Sequence, residues 1–414
     1  MKNLNSISLN CLRYHQIACA TLMAFVAVFA ISGCGNDRQT LTPPANTSPL
    51  ATAEKPAAEE IVADAHKFLL SKQAADGAWK SETYGLLKSG QALTPFVLYS
   101  LVESGLEIPA AHVESALSFL RSKTRDGAIG MDDEMVLEYP VYSTAYALMC
   151  FKQLGNAKDK KLISQMQDYL VKQQFTEANG FDASHPAYGG WGFGGDQEPG
   201  ETGHMDLAHT RRVIEALAMT PRYDKMQEVT EKANLFLRMV QKHPDDDRPQ
   251  PMPPELGDKV YAKVGFDGGF YFSPVVLRAN KGRLVDTEPP FWKSYATATC
   301  EGLLALLATG ATEEDMRVSA ATEWLEDQHE LEYPQGIPVF YEGENWRDAV
   351  HFYHLSVRGE VRRNCHSVEN REAIIDAMLS FRLPNGSFSN SKSNLMKEDD
   401  PLMCTALAVL ALAD

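Results

Sequence analysis

Histidine and acidic side chains cluster where a glycine-rich segment runs into an apolar stretch with helical periodicity. His204, Asp206 and His209 all lie in the segment Gly203-His-Met-Asp-Leu-Ala-His-Thr210. A carboxylate beside imidazoles can donate or accept a proton, so we take these three as candidate catalytic residues. Asp206 also stands where a helix start favours a short acceptor, and there it would cap free backbone N–H groups. Both interpretations of Asp206 stay open.

Two further carboxylates precede apolar stretches and could supply the same acid chemistry. Asp267 follows Phe266 in a glycine-containing turn, and Asp399 lies in Glu398-Asp-Asp-Pro401. We include Asp267 and Asp399 among the candidate catalytic residues. Asp400 followed by Pro401 has a simpler explanation, because a short acceptor followed by proline is typical of a helix start.

The histidines also raise the question of a metal ion. Asp206 and His209 would share one helix face, and so would His351 and His354. Their spacing matches no established zinc motif, and the chain has no Cys-x-x-Cys pair. We therefore expect no metal and no other cofactor.

Aromatic residues are dense in the turns that lead into the apolar stretches. Their rings could stabilise a cation or stack on an isoprenoid, a sugar or a peptide, and they could equally well pack as core. The candidate ligand-binding residues are Tyr142, Trp191, Phe193, Tyr271, Trp292, Tyr295, Trp346 and His351.

A repeat that recurs six times over residues 59–414 must position these side chains. Each copy has an amphipathic helix ending in a bulky residue and Leu, then a glycine turn, then a more apolar helix. Helices that are apolar all round belong inside, and amphipathic helices belong outside. The sequence therefore predicts an all-α fold, an α/α toroid of six helical hairpins with inner and outer helix rings. An open solenoid is the alternative.

The first copy, Phe68-Leu-x-x-x-Gln73-x-x-x-Gly77-x-Trp79, fits the QW motif of squalene–hopene cyclases at every defined position. The domain over 59–414 thus resembles the terpenoid cyclase and protein prenyltransferase superfamily, with its squalene cyclase-like repeats. The resemblance implies an α/α toroid with a central cavity. It does not fix a reaction, since this fold carries several chemistries.

The catalytic motifs of that superfamily are incomplete in this chain. Squalene cyclases carry Asp-x-Asp-Asp-Thr at an inner-helix start, and the matching segment here is Asp206-Leu-Ala-His-Thr210. Ala208 stands where the family has its proton donor, and alanine cannot supply a proton. The Asp-x-Cys of zinc prenyltransferases and the Cys-x-Glu-Gln of internal thioesters do not occur in the sequence.

The N-terminus resembles a bacterial lipoprotein signal. Lys2 and Arg13 precede an apolar run that ends in Ile31-Ser-Gly-Cys34. We predict a signal peptide over 1–33, lipidation of Cys34 and a disordered tether over 34–58. The protein would then be exported and lipid-anchored to a bacterial membrane of the cell envelope, on its periplasmic or outer face. An uncleaved membrane anchor is the alternative.

Charge limits the partners of this protein. The formal net charge is −16 at pH 7, and loss of the signal would remove Lys2 and Arg13. Such acidity argues against nucleic acid as a partner. We expect a lipoprotein that binds an apolar or extended ligand (isoprenoid-like, glycan or peptide) in the toroid cavity. The alternatives are a cyclase or prenyltransferase with a non-standard acid, and a lyase or hydrolase of envelope polysaccharide.

Overall fold

A computed structural model describes residues 55–132, 137–220, 225–246, 248–252, 256, 261–328, 330–340, 343–365 and 371–414. The predicted signal peptide, Cys34 and the tether as far as residue 54 lie outside these residues. In chain order the helices are α1 (Ala58–Ser71), α2 (Leu93–Glu103), α3 (Ala110–Lys123), α4 (Pro140–Leu154), α5 (Lys160–Lys172), α6 (Leu207–Ala218), α7 (Met226–Val240), α8 (Ala296–Ala308), α9 (Met316–Glu326), α10 (Trp346–Ala349), α11 (His351–Asn364), α12 (Arg371–Met378) and α13 (Pro401–Leu412). Two antiparallel pairs of short strands join them, β1 (Trp191–Gly192) with β2 (Met205–Asp206) and β3 (Leu284–Val285) with β4 (Phe291–Trp292).

Six of these helices form a closed inner ring. Successive contacts run α2–α4–α6–α8–α11–α13, and α13 packs back onto α2 and α1. The inner helices are buried almost all round, whereas outer helices such as α5 keep a polar face. This confirms the predicted α/α toroid of six helical hairpins and excludes the open solenoid.

One contact recurs in five of the hairpins and explains why each turn leads into its inner helix. A threonine among the first five residues of the inner helix accepts the backbone N–H of the residue that lies two positions after a turn glycine. The N–H group is thereby satisfied inside the core. The pairs are Trp79–Thr94, Ile129–Thr144, Trp191–Thr210, Phe270–Thr299 and Phe388–Thr405.

The glutamine of the QW motif joins consecutive hairpins. The side-chain amide of Gln73 donates to the Gly77 carbonyl at 2.9 Å and to the His112 carbonyl of α3 at 3.0 Å. Gln174 and Gln241 repeat this arrangement in their own hairpins. The motif therefore has a structural role that does not depend on any ligand.

Two features differ from the sequence expectation. The repeat pattern alone indicates one inner helix from Trp346 to Val357, but the structure interrupts it at Val350, so that α10 ends at Ala349 and α11 runs from His351 to Asn364. The insertion between α7 and α8 packs on the start of α6, where the Leu207 N–H donates to the Phe272 carbonyl at 2.9 Å. Among the described residues, no helix is long and apolar enough to cross a membrane.

Candidate functional site

The three residues singled out around Asp206 lie together at the start of α6. Asp206 is the N-cap, since one carboxylate oxygen accepts the His209 backbone N–H at 2.9 Å. The same carboxylate lies 2.9 Å from His209 Nδ1 and 3.4 Å from His204 Nε2. Asp206 is therefore a cap that also holds two imidazoles.

The environment of Asp206 keeps its carboxylate ionised. Burial raises the pKa of Asp206, but the charge of His209 and the hydrogen bond from His204 outweigh burial and hold that pKa well below its usual range. The hydrogen bond to Asp206 occupies His209 Nδ1, so Nε2 is the ring nitrogen that is left for another hydrogen bond. This Nε2 is buried and has no hydrogen-bond partner among the described residues.

Aromatic and apolar side chains surround His209 at the N-terminal end of the inner ring. Ring centroids of Tyr142 and Phe193 lie 5.2 and 5.0 Å from that of His209. In four inner helices a residue near the N-terminus is only half-buried, although most of each helix is buried. We call the N-terminal mouth of the inner ring, where these residues and His209 lie, the chamber; the four are Phe96, Tyr142, Tyr353 and Met403.

Below the chamber the ring is filled by charged side chains. Arg211 donates to Glu215 at 2.7 Å, to Glu301 at 3.2 Å and to Glu360. Arg212 lies 3.3 Å from Glu360. These contacts tie α6, α8 and α11 together across the ring. We call these five residues the ionic layer.

Tyrosines separate the ionic layer from the chamber. The Tyr353 hydroxyl donates to Glu301, and the Arg212 guanidinium lies 4.6 Å from the centroid of the Tyr146 ring. Burial raises the pKa of Glu301, whereas for Glu360 the two arginines outweigh burial and lower the pKa to about 2. The sequence pattern indicated only the Arg211–Glu215 pair. For the other residues of the ionic layer, the signal in the sequence was the presence of charged residues within otherwise apolar inner helices.

Three of the predicted ligand-binding aromatics lie in the core. The Trp191 indole N–H donates to the Leu170 carbonyl at 2.6 Å, which repeats the 2.7 Å contact of Trp79 with Leu69. Two other predicted aromatics lie in the core in the same way. The Tyr271 hydroxyl donates to the Met239 carbonyl, and the Trp292 indole N–H donates to the Pro251 carbonyl.

The remaining predicted ligand-binding residues divide between the chamber and other places. Tyr142 and Phe193 border the chamber, while Tyr295 is buried at the N-cap position of α8. Trp346 is half-buried, with the Lys281 ammonium 3.5 Å from its ring centroid. His351 lies away from the chamber, because its ring nitrogens are 2.9 and 3.0 Å from backbone carbonyls of the 332 loop and α12.

Neither of the two other candidate acids is joined to Asp206. Asp267 is exposed and accepts the Ser294 hydroxyl at 2.7 Å, whereas Asp399 accepts the Tyr84 hydroxyl. Asp400 is the N-cap of α13, which confirms that prediction.

Sequence reasoning missed Glu398, which is buried beside α11. Neighbouring residues in the sequence do not indicate its role, because it caps a helix that is distant in the chain. Among the described residues, no group of three or more His, Cys, Asp or Glu side chains is arranged to hold a metal ion.

Comparison with known proteins finds similarity of fold and not of sequence. No family model and no curated protein matches the sequence. The apo type II terpene cyclase MstE from Scytonema is 15% identical with a TM-score of 0.52, and the alignment covers 86% of this chain and 97% of that one. A variant of the same cyclase bound to its product, merosterolic acid A, is 14% identical with a TM-score of 0.50 over 86% and 96% of the two chains. The α-1,6-mannanase GH76A from Salegentibacter is 10% identical with a TM-score of 0.49 over 86% and 99%. The chain has the α/α toroid fold of the terpenoid cyclases.

Proposed function

We propose that this protein is an exported lipoprotein whose toroid binds an extended, largely apolar ligand in the chamber. The half-buried rings of Phe96, Tyr142 and Tyr353 offer apolar contact area. The observation that carries the proposal is His209 Nε2, which is buried beside the rings of Tyr142 and Phe193 and has no hydrogen-bond partner in the described part of the chain. Leaving such a nitrogen unpaired costs about 1–3 kcal/mol. A ligand hydroxyl, which can donate or accept, would satisfy it, so we expect an apolar chain that carries a hydroxyl group, as in an isoprenoid alcohol.

The charge balance of the ionic layer favours a ligand with an apolar chain over a ligand with an anionic head group. Three carboxylates already bond Arg211, so its charge is compensated within the protein. The Tyr146 ring further shields Arg212. The polar group of the ligand would therefore bind at His209 and not in the ionic layer.

Titration of the protein with geranylgeraniol tests this proposal. We expect saturable binding, weakened threefold to tenfold in His209→Gln, because one hydrogen bond contributes about 0.5–1.5 kcal/mol. His185→Gln, at a half-buried histidine outside the chamber, is the matched control and should bind like the wild type. Absence of saturable binding, or equal binding by both variants with native melting curves, would contradict the proposal.

The proposed tether has its own test. The lipid tether is inferred from the sequence Ile31-Ser-Gly-Cys34, which follows an apolar run. Cys34→Ser should release the protein from the membrane fraction, because the lipid would have no attachment point. A variant that still sediments with membranes would exclude acylation at Cys34.

A second candidate function is lysis of an acidic envelope polysaccharide with His209 as the base. One observation favours it: ionised Asp206 orients His209, and Tyr142 lies beside the imidazole. Asp206→Asn should then abolish formation of the unsaturated product, measured by ultraviolet absorbance with polygalacturonate or alginate. Asn keeps the helix cap but loses the charge that pairs with His204 and His209, so activity is compared at a temperature below the melting transition of both proteins. Unchanged activity in this variant would reduce Asp206 to a cap.

Cyclisation of an alkene with Asp206 as the acid has less support. A carboxyl group whose pKa is held well below its usual range is a poor proton donor. Asp267 and Asp399 are engaged by hydroxyl groups of Ser294 and Tyr84. A cyclase or prenyltransferase would therefore need an acid from elsewhere in the chain.

A further inference from the structure

A cavity lies on the outer layer of the toroid, between the turn 266–268 and helix α9. Its volume is about 500 Å³. Phe266 and Asp267 border one side, and Glu323, Trp324 and Asp327 border the other. None of these residues belongs to an inner helix, so this outer cavity is separate from the chamber.

The cavity owes its aromatic surface to two residues that the fold leaves uncovered. Bulky residues near the ends of three other outer helices are well covered, since Phe68 and Phe119 are 6% exposed and Phe236 is fully buried, while Tyr169 in α5 is half-buried. Trp324 occupies the corresponding position in α9 and is only half-buried. Phe266 is 47% exposed. Two aromatic side chains therefore border the same cavity.

The polar groups of the outer cavity are mostly hydrogen-bond acceptors. Asp267 is oriented by the Gly269 N–H at 3.1 Å and by the Ser294 hydroxyl at 2.7 Å. Glu323 accepts the Ser319 hydroxyl at 3.2 Å. Lys242 also borders the cavity, but its ammonium donates to the Trp292 carbonyl at 2.8 Å and lies 4.1 Å from the Phe291 ring centroid. Acceptors and negative charge therefore prevail there.

We propose that the outer cavity binds a saccharide that is neutral or carries amino groups. Aromatic side chains provide apolar faces on which the C–H groups of a sugar ring can pack. Carboxylates accept hydrogen bonds from sugar hydroxyls, and each has several acceptor positions. The volume falls within the range of about 300–1,000 Å³ of small-molecule sites. The negative charge of Asp267, Glu323 and Asp327 disfavours uronic acids.

Calorimetric titration of the full-length protein with maltotriose, a glucosamine trimer and trigalacturonate tests this inference. We expect the first two to bind saturably and trigalacturonate not to bind. Phe266→Ala should weaken the binding of both sugars at least fivefold. Phe340→Ala should not change it, because Phe340 is an exposed phenylalanine outside this cavity (68% exposed). Glu323→Gln should weaken the glucosamine trimer more than maltotriose, because it removes an attractive charge.

Three results would overturn the inference. They are no saturable saccharide binding up to about 10 mM, trigalacturonate binding as tightly as maltotriose in the His209→Gln variant, and unchanged binding by Phe266→Ala. The His209→Gln variant separates the two sites, because it should leave saccharide binding intact. Sugar binding that is lost in His209→Gln and kept in Phe266→Ala would assign the sugar to the chamber and would also overturn the inference.

Discussion

Glu398 caps a helix that lies far from it in sequence. Its carboxylate accepts the backbone N–H groups of Phe352 and Tyr353 at 2.9 and 2.8 Å, at the start of α11. Asn390 donates a third hydrogen bond to it at 2.9 Å. Burial nevertheless outweighs these bonds and raises the pKa of Glu398 to about 7. A helix beside the chamber thus begins on a group that titrates near neutral pH.

Glu398 should make stability depend on pH. An acid whose pKa rises from 4.5 to about 7 on folding binds its proton more tightly in the native state, so its contribution falls as pH rises from 4.5 to 7. Between pH 5 and pH 8 the wild type should lose more unfolding free energy than Glu398→Gln, by on the order of 1 kcal/mol or more. Urea unfolding of both proteins at both pH values measures this. Buried histidines such as His354 change stability with pH in the opposite direction, but they do so equally in both proteins, so the comparison removes their contribution. Parallel pH profiles of the two proteins would contradict the prediction.

At the scale of the helices, the sequence predicts the features that depend on contacts between residues close together in the chain. Each hairpin is built from contacts between residues close in the chain, such as Trp79 with Thr94, or from the QW glutamine reaching the next helix. Six copies of such a pattern are sufficient to predict the ring. The break at Val350 was missed, because Trp346 to Val357 reads as one helix and the break divides it into α10 and α11.

The candidate site was less predictable than the hairpins. Local spacing was sufficient to group Asp206 with His209, because Asp206 is the N-cap of α6 and His209 lies in its first turn. It could not separate chamber residues from core residues, since Trp191 and Tyr142 both lie near inner-helix starts. Only the three-dimensional contacts decide between them, namely the Leu170 carbonyl for Trp191 and the His209 ring for Tyr142. The ionic layer needed those contacts as well, because Arg211 and Glu360 meet only after the ring has closed.

At the scale of the whole molecule, ring closure depends on contacts between the last hairpin and the first. Helix α13 packs on α1 and α2, and Arg382 lies 2.5 Å from Asp64. The last turn approaches α1 at Gly386, whose φ is 83°. A Cβ added at Gly386 would lie 2.8 Å from the Cβ of Asp64. The two ends of the repeat array are therefore held together at close range.

Gly386→Ala should weaken ring closure and thereby lower the stability of the whole domain. Alanine at this φ costs about 1–2 kcal/mol, and the contact with Asp64 adds to that cost. Gly310→Ala is the matched control, because Gly310 has a φ of 93° but no atom within 4 Å of the added Cβ. Urea unfolding followed by circular dichroism should therefore show a larger loss for Gly386→Ala, within a single transition, because each inner helix packs on two others around the ring. Equal losses in the two variants would show that the contact with Asp64 contributes nothing. A separate early transition in Gly386→Ala would show that the last hairpin can detach while the other five remain folded.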